Sequence, residues 1–300
     1  IDNYVDLMLQ DTPIVKRPPL STGKVLPKDT LVAEHGLSLM ITTHRGSESH
    51  SILFDAGYNK SGVMHNIDQL GIDIQSVEAL VLSHAHMDHG GALYSILDRV
   101  SKPIPLYVHP DIFSFPRCIE QKDGHRVLFP RTFVKEDIAS TDFTLLESKS
   151  PTLIANDTIA VTGEVERTTD IEKGLPNAYV QVDGHYQKDS IPDDQSLIVK
   201  LKNKRLVLIT GCCHAGIINT IRFARKLTGI DGMYGVLGGL HLSGAFFETI
   251  IEKTVDALQE INPEVIVPMH CTGWNAVKRL ADTFPGAFIL NSVGSKFILT

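Results

Sequence analysis

Short apolar runs alternate along the chain with polar stretches bearing glycine or proline, and four of the runs end at a histidine with small residues beside it. They are EALVLSHAHMDHGGALYSIL (78–97), RLVLITGCCHAGIINTIRF (205–223), MYGVLGGLHLSGAFFETII (233–251) and PEVIVPMHCTGWNAVKRL (263–280). A helix-like segment usually follows the histidine. A strand feeding a helix is the unit of a layered α/β core. The pattern therefore predicts four histidine corners gathered at one edge of that core.

The same pattern sets the other elements. Residues 31–41 (LVAEHGLSLMI) and 51–55 (SILFD) read as strands separated by a polar hairpin, THRGSESH. A short helix is expected over Gly62–Leu70, ended by Gly71. Val77–Ser83 reads as a buried strand, and the spacing of Leu93, Ile96, Leu97 and Val100 predicts a helix over 92–100. From Pro103 to Gln195 short strand candidates such as IPLYVH and DTIAVTG alternate with proline, glycine and charge. The stretch 111–135 is too long for an ordinary connection and reads as a loosely packed lid over the histidine edge. Regular alternation resumes at SLIVKL (196–201) and KRLVLITG (204–211). No linker-like composition divides the chain. Residues 1–300 read as a single domain, with 103–195 containing lid or insertion elements.

Composition narrows the function. With 300 residues and 43% hydrophobic content the chain can bury a sizeable core. A formal charge of −7 without a basic track argues against a nucleic-acid partner. No run approaches the roughly 18 apolar residues of a membrane span. The opening residues lack a basic stretch followed by an apolar core, so no signal peptide is expected. Cys118, Cys212, Cys213 and Cys271 show no CxxC spacing and no secreted-domain density, which suggests a reducing, cytoplasmic setting. Nothing in the sequence bears on oligomeric state.

The chemistry is concentrated in His84, His86, Asp88 and His89. Residues two apart in extended chain point the same way, so His84 and His86 can hold one ion while the following turn brings Asp88 and His89 to a second. Imidazole and carboxylate suit Zn²⁺, with Mn²⁺ or Fe²⁺ as alternatives. One or two divalent ions are expected. Gly90 and Gly91 let the backbone fold tightly behind the ligands.

SHAHMDHGG resembles the signature of the metallo-β-lactamase superfamily, as do LFDAG (53–57) and LITGC (208–212). The resemblance implies an α/β fold, a four-layer αββα sandwich with metals at one edge and here an inserted lid region. A narrower resemblance rests on EHGLS (34–38), TGEVERTTDIEKG (162–174), DDQSL (193–197), TGCCHAGIINT (210–220), GGLHL (238–242) and HCTG (270–273). It is to the subgroup named for 7,8-dihydropterin-6-ylmethyl-4-(β-D-ribofuranosyl)aminobenzene 5′-phosphate synthase. This implies His270 as the last ligand of the second site, with Asp88 and His89, and His214 as the third ligand of the first. Where most relatives carry a bridging aspartate after TG, this chain has Cys212, which either coordinates or points into the core as a small apolar group.

The remaining expectations are weaker in pattern. Asp55 and His35 are expected behind the ligands, with Asp55 orienting a histidine or the metal loop. His241 is placed as a substrate or proton-transfer residue, and Asp88 as both ligand and catalytic carboxylate. Arg167 can clamp a phosphate or pair with Asp170 or Glu172. Thr272 and Gly273 can present helix-start N–H groups to an anion, or Thr272 can serve as an ordinary N-cap. His44, His50, His65, His109, His125 and His185 are expected in surface or structural roles. The implied function is a metal-dependent hydrolase or transferase acting on a small phosphate- or pterin-like anion. In the synthase reading the metals steady the pyrophosphate leaving a dihydropterin while the aminobenzene partner attacks. The alternatives are a plain lactonase or phosphodiesterase, and a binding or sensor protein that keeps the fold without catalysis.

Overall fold

The computed structural model describes residues 1–21, 23–141, 143–202 and 205–300. Two sheets lie face to face. The first runs in the order 39–45, 48–54, 77–81, 105–108 and 144–147, and its last three pairings are parallel. The second runs 265–269, 233–239, 206–210, 196–200, 159–161 and 152–154. Its first three strands are parallel. Both sheets are twice covered: their inner faces meet through Ile52, Phe54, Ala79 and Val81 against Ile159, Leu197, Val207, Ile209 and Val267. The outer face of the first is packed by Val63, Ile67, Leu93 and Ile96 from helices Lys60–Gln69 and Leu93–Arg99. The outer face of the second is packed by helices Ile217–Thr228, Ile251–Ile261 and Trp274–Thr283 through Ile221, Val255, Leu258 and Leu280. The layers are helix, sheet, sheet, helix, as the resemblance implied.

This explains the near-continuous apolar runs. A parallel strand covered on both faces cannot alternate, because both sides of the pleat are core. Residues 77–81, 206–210 and 265–269 are buried almost throughout. Parallel pairing also places the strands' carboxyl ends at a common edge, where ligand sites of α/β sheets form. His84, His214, His241 and His270 all follow such ends.

Two expectations need correction. The strand expected over 31–41 begins only at Leu39, while the polar hairpin is itself strand up to a turn at Gly46 and Ser47. Residues 31–38 instead wrap the metal loop, with Leu37 N–H donating to the Asp88 carbonyl at 3.1 Å. Gly36 permits this, since a side chain there would lie 2.7 Å from the Tyr58 nitrogen. The 111–135 stretch is not a loose cover. It supplies strands Arg117–Glu120 and Arg126–Leu128 to a four-stranded antiparallel sheet completed by Ala178–Val182 and His185–Lys188. Arg117, Cys118 and Phe133 are buried, while the hairpin turn and the strand Arg126–Leu128 are exposed. No helix among the described residues is long and apolar enough to cross a membrane.

Candidate metal centre

His84 and His86 leave the strand Val77–Val81 in extended conformation, and a single helical turn, Met87–Gly90, then swings Asp88 and His89 round. Gly91 follows at a point where any side chain would fall on the Tyr58 carbonyl, so the loop closes only with glycine there. His214 arrives from the loop after Leu206–Thr210, and His270 from the end of Val265–Met269. All six ligand candidates are buried.

The donors form two clusters. His214 Nε2 lies 3.2 Å from His84 Nε2 and 3.2 Å from His86 Nδ1. In the second cluster His270 Nε2 lies 3.1 Å from Asp88 Oδ2 and 3.2 Å from His89 Nε2. Cys212 lies between them. Its sulfur is 3.1 Å from His89 Nε2, and it groups within 4.8 Å with either Asp88, His89 and His270 or with His84 and His214. The distance from one cluster's donors to their common centre suits one divalent ion each.

Hydrogen bonds behind the ligands decide which nitrogens carry protons. Asp55 accepts the Ser83 N–H at 2.7 Å, the Ser83 hydroxyl at 2.8 Å and His89 Nδ1 at 2.6 Å. The Ser83 hydroxyl, having donated to Asp55, accepts from His84 Nδ1 at 2.9 Å. His270 Nδ1 donates to Asn3 Oδ1 at 3.1 Å. In His84, His89 and His270 the Nε2 lone pair is thus turned inward. His84 Nε2 meets His214 Nε2 in one cluster and His89 Nε2 meets His270 Nε2 in the other, and two facing lone pairs cannot satisfy each other, whereas a cation between them satisfies both. The donor set therefore fits divalent metal.

Electrostatics agree for the first cluster. Burial, reinforced by the neighbouring imidazoles, holds His84 and His214 well below the usual histidine range, and burial takes His86 down to about 3. These rings are neutral ligands at any ordinary pH. Burial opposes the charged form of His89 too, but Asp55 and Asp88 overcome it and raise that ring to about 9. Asp88 is carried below its ordinary value, because His89 and His270 outweigh its desolvation.

A second layer, missed in the sequence, ties the two loops of the first cluster together. Asp193 Oδ2 accepts the N–H of Ala85, between His84 and His86, at 2.9 Å. Asp194 Oδ2 accepts the N–H of Ala215, beside His214, at 2.9 Å. Burial pushes the Asp194 carboxyl up to about 6 against the backbone bonds it accepts. Gln195 bonds the carbonyls of Ser83 and Leu82 at 3.0 and 2.8 Å. Arg117, from the inserted sheet, grips Asp193 with both terminal nitrogens and reaches Asp189 at 3.2 Å. The insertion also touches the ligands directly, where Phe129 packs edge-on against His86 at 4.6 Å between ring centres. At the other cluster Asp2 accepts the His270 N–H at 2.7 Å. Only DDQSL carried any prior signal, as part of a motif, and nothing in the sequence gave Asp2 or Asn3 a role.

The other expected residues separate. His35 is exposed and stands 3.5 Å from Asp88, at the mouth. His241 stacks on His214 at 4.2 Å. Arg167 stands beside Gly174, near the His214 carbonyl. It donates to the Ser190 and Ile191 carbonyls and lines a separate cavity of about 560 Å³ with Lys149, Glu164 and Asp194. Thr272 is fully buried, its hydroxyl donating to the Met269 carbonyl at 2.7 Å and accepting the Leu240 N–H at 3.2 Å. It pins two loops, and the helix N-cap is Gly273. His109 is completely buried and caps a short 3-10 turn through Asp111 N–H. His44, His50, His65, His125 and His185 are exposed or partly so.

Comparison with known proteins gives concordant matches. Residues 33–185 match the family model of the metallo-beta-lactamase superfamily. A 7,8-dihydropterin-6-methyl-4-(beta-D-ribofuranosyl)-aminobenzene-5′-phosphate synthase of Methanocaldococcus jannaschii is 30% identical over 85% of this chain and 87% of its own length. An uncharacterised protein of the same organism is 32% identical, covering 87% of this chain and 92% of its own. Among solved structures, a metal-dependent hydrolase of the beta-lactamase superfamily superposes with a TM-score of 0.72 at 24% identity, over 91% of this chain and 95% of that one.

Proposed function

The chain belongs to the metallo-beta-lactamase superfamily, and from that premise we propose that it is a metal-dependent transferase joining an aminobenzene ribofuranosyl phosphate to a dihydropterin pyrophosphate. One observation carries the reading: the His84/His86/His214 and Asp88/His89/His270 clusters face each other across Cys212 within a chain whose likeness to a synthase of that name runs nearly its full length. When bound, the ions supply Lewis acidity that neutralises a departing pyrophosphate and acidifies water.

The chain's own residues do the rest. Asp55 and Ser83 fix the tautomers of His84 and His89, so no rearrangement is needed to present lone pairs. Asn3 and Asp2 hold His270 by side chain and backbone. Asp88, beside the exposed His35, is the carboxylate placed to take the proton released by the attacking amine. Phe129 covers His86 and keeps water from that side.

The test is metal-stripped protein reloaded with Zn²⁺, Mn²⁺ or Fe²⁺ and offered the two proposed co-substrates. Lactones, cyclic nucleotides, phosphodiesters and RNA are assayed in parallel. Pyrophosphate release that depends on both co-substrates is the expected result. Turnover of a lactone or phosphodiester without any coupling would replace the transferase reading with a hydrolase.

A further inference from the structure

Cys271 follows the ligand His270 and belongs to neither cluster, yet its sulfur is buried beside them. It donates to the Cys212 carbonyl at 3.4 Å. The Cys271 sulfur, the Cys212 sulfur and a ring nitrogen of His241 all lie within 4.8 Å of one another. Gly239 makes room for this group: a side chain there would stand 2.7 Å from the Cys271 sulfur and 3.2 Å from the Cys212 Cα.

His241 is held in place at a cost. Its φ of 44° is in the left-handed region, uncommon for any residue but glycine, and such a conformation persists where surroundings enforce it. The enforcing contacts are His214 on one side, at 4.2 Å, and Phe247 edge-on at 4.5 Å on the other. Its Nδ1 is buried without a hydrogen-bond partner. Two thiols and an imidazole converging in a water-poor corner are the donors that soft and borderline cations select over magnesium or calcium.

We propose that Cys212, Cys271 and His241 form a third cation subsite, thiolate-rich and selective for a soft or borderline ion such as Zn²⁺, joined to the two-cluster centre through the shared Cys212 sulfur. The subsite deepens the metal-centre reading, on which it rests. Each thiol loses its proton to solvent as the ion binds. The role of Cys212 follows: standing where relatives bridge two ions with a carboxylate, it links a third position as well, which a carboxylate among harder ligands would not favour.

The probe is Cd²⁺, titrated into the metal-stripped full-length chain while sulfur-to-metal charge-transfer absorbance and bound metal per chain are followed. Wild type is expected to take up three ions with a thiolate band. Cys271→Ser should lose one ion and about half of the band, two thiolates becoming one. His241→Gln should lose one ion while leaving both sulfurs in place. Because His241 is only partly buried, that variant tests the subsite even where the buried serine substitution impairs folding. Cys118→Ser, in the inserted sheet, is the control and should bind as wild type. Uptake of only two ions by wild type, or an unchanged count and band in both Cys271→Ser and His241→Gln, would overturn the proposal. The functional reading is judged separately by co-substrate-dependent pyrophosphate release, so either can fail while the other stands.

Discussion

Asp193 receives both terminal nitrogens of Arg117, at 2.7 and 3.0 Å, where neither side chain reaches water. The same carboxylate accepts the Ala85 N–H between two ligand histidines. Removing one partner of a buried pair leaves a stranded charge and costs about 3–5 kcal/mol. Arg117→Met should lower the unfolding free energy by that order in urea titrations. It should also weaken the metal held by His84, His86 and His214. The double variant Arg117→Met/Asp193→Asn should recover part of the stability, because Asp193 then strands no charge and only Asp189 is left without its partner.

Asp55→Asn tests the orientation of the ligands. An amide at that position offers a donor where Ser83 and His89 already present theirs. The loss expected from disturbing such a partner is about 10–100-fold in metal affinity. Competition against a chelator of known affinity measures it. Unchanged affinity would remove Asp55 from the centre.

His214→Ala and His270→Ala should each release one ion, from different clusters, and each should lower turnover on the order of 10³-fold, the equivalent of several kcal/mol of lost charge stabilisation. Metal analysis after gel filtration checks the stoichiometry. A variant that keeps its full metal content would dissolve the assignment of that histidine.

Phe129→Ala tests the inserted sheet as a cover. The ring lies against His86 but contributes nothing to the buried apolar core. The expected outcome is a raised KM for the small anion with the unfolding temperature within a degree or two of wild type. An unchanged KM and kcat would mean the ring does not shape the entrance.

The candidate ligands that the fold brings together were legible because metal coordination concentrates unusual residues: four donors within His84–His89, and histidines repeated after apolar strands. The layered α/β core followed from apolar runs that doubly covered strands tolerate, and the order of its layers from the family resemblance. The supporting residues left no such trace. Arg117 lies in a stretch that reads as loop, since short strands joined by a polar hairpin carry little periodicity. Asp193 and Asp194 entered only as part of the DDQSL motif, and Asn3 carried no signal. Their partners are 21 to 267 positions away in sequence, and proximity at that range is a product of the fold. Arg167 is ambiguous for the converse reason. A lone arginine has the same sequence signature whether it meets a phosphate or, as here, backbone carbonyls.

His270 is braced by Asp2 and Asn3, and Asp2 is in turn held by Asn291, so contacts spanning 267 to 289 positions meet behind one ligand. During synthesis the second half of the centre therefore cannot assemble until residue 291 has left the ribosome, long after the His84–His89 loop has emerged. A nascent chain stalled anywhere earlier exposes imidazoles without the geometry to retain a pair of ions. Metal capture at this half of the centre thus waits on a meeting of residues 2 and 3 with 270 and 291.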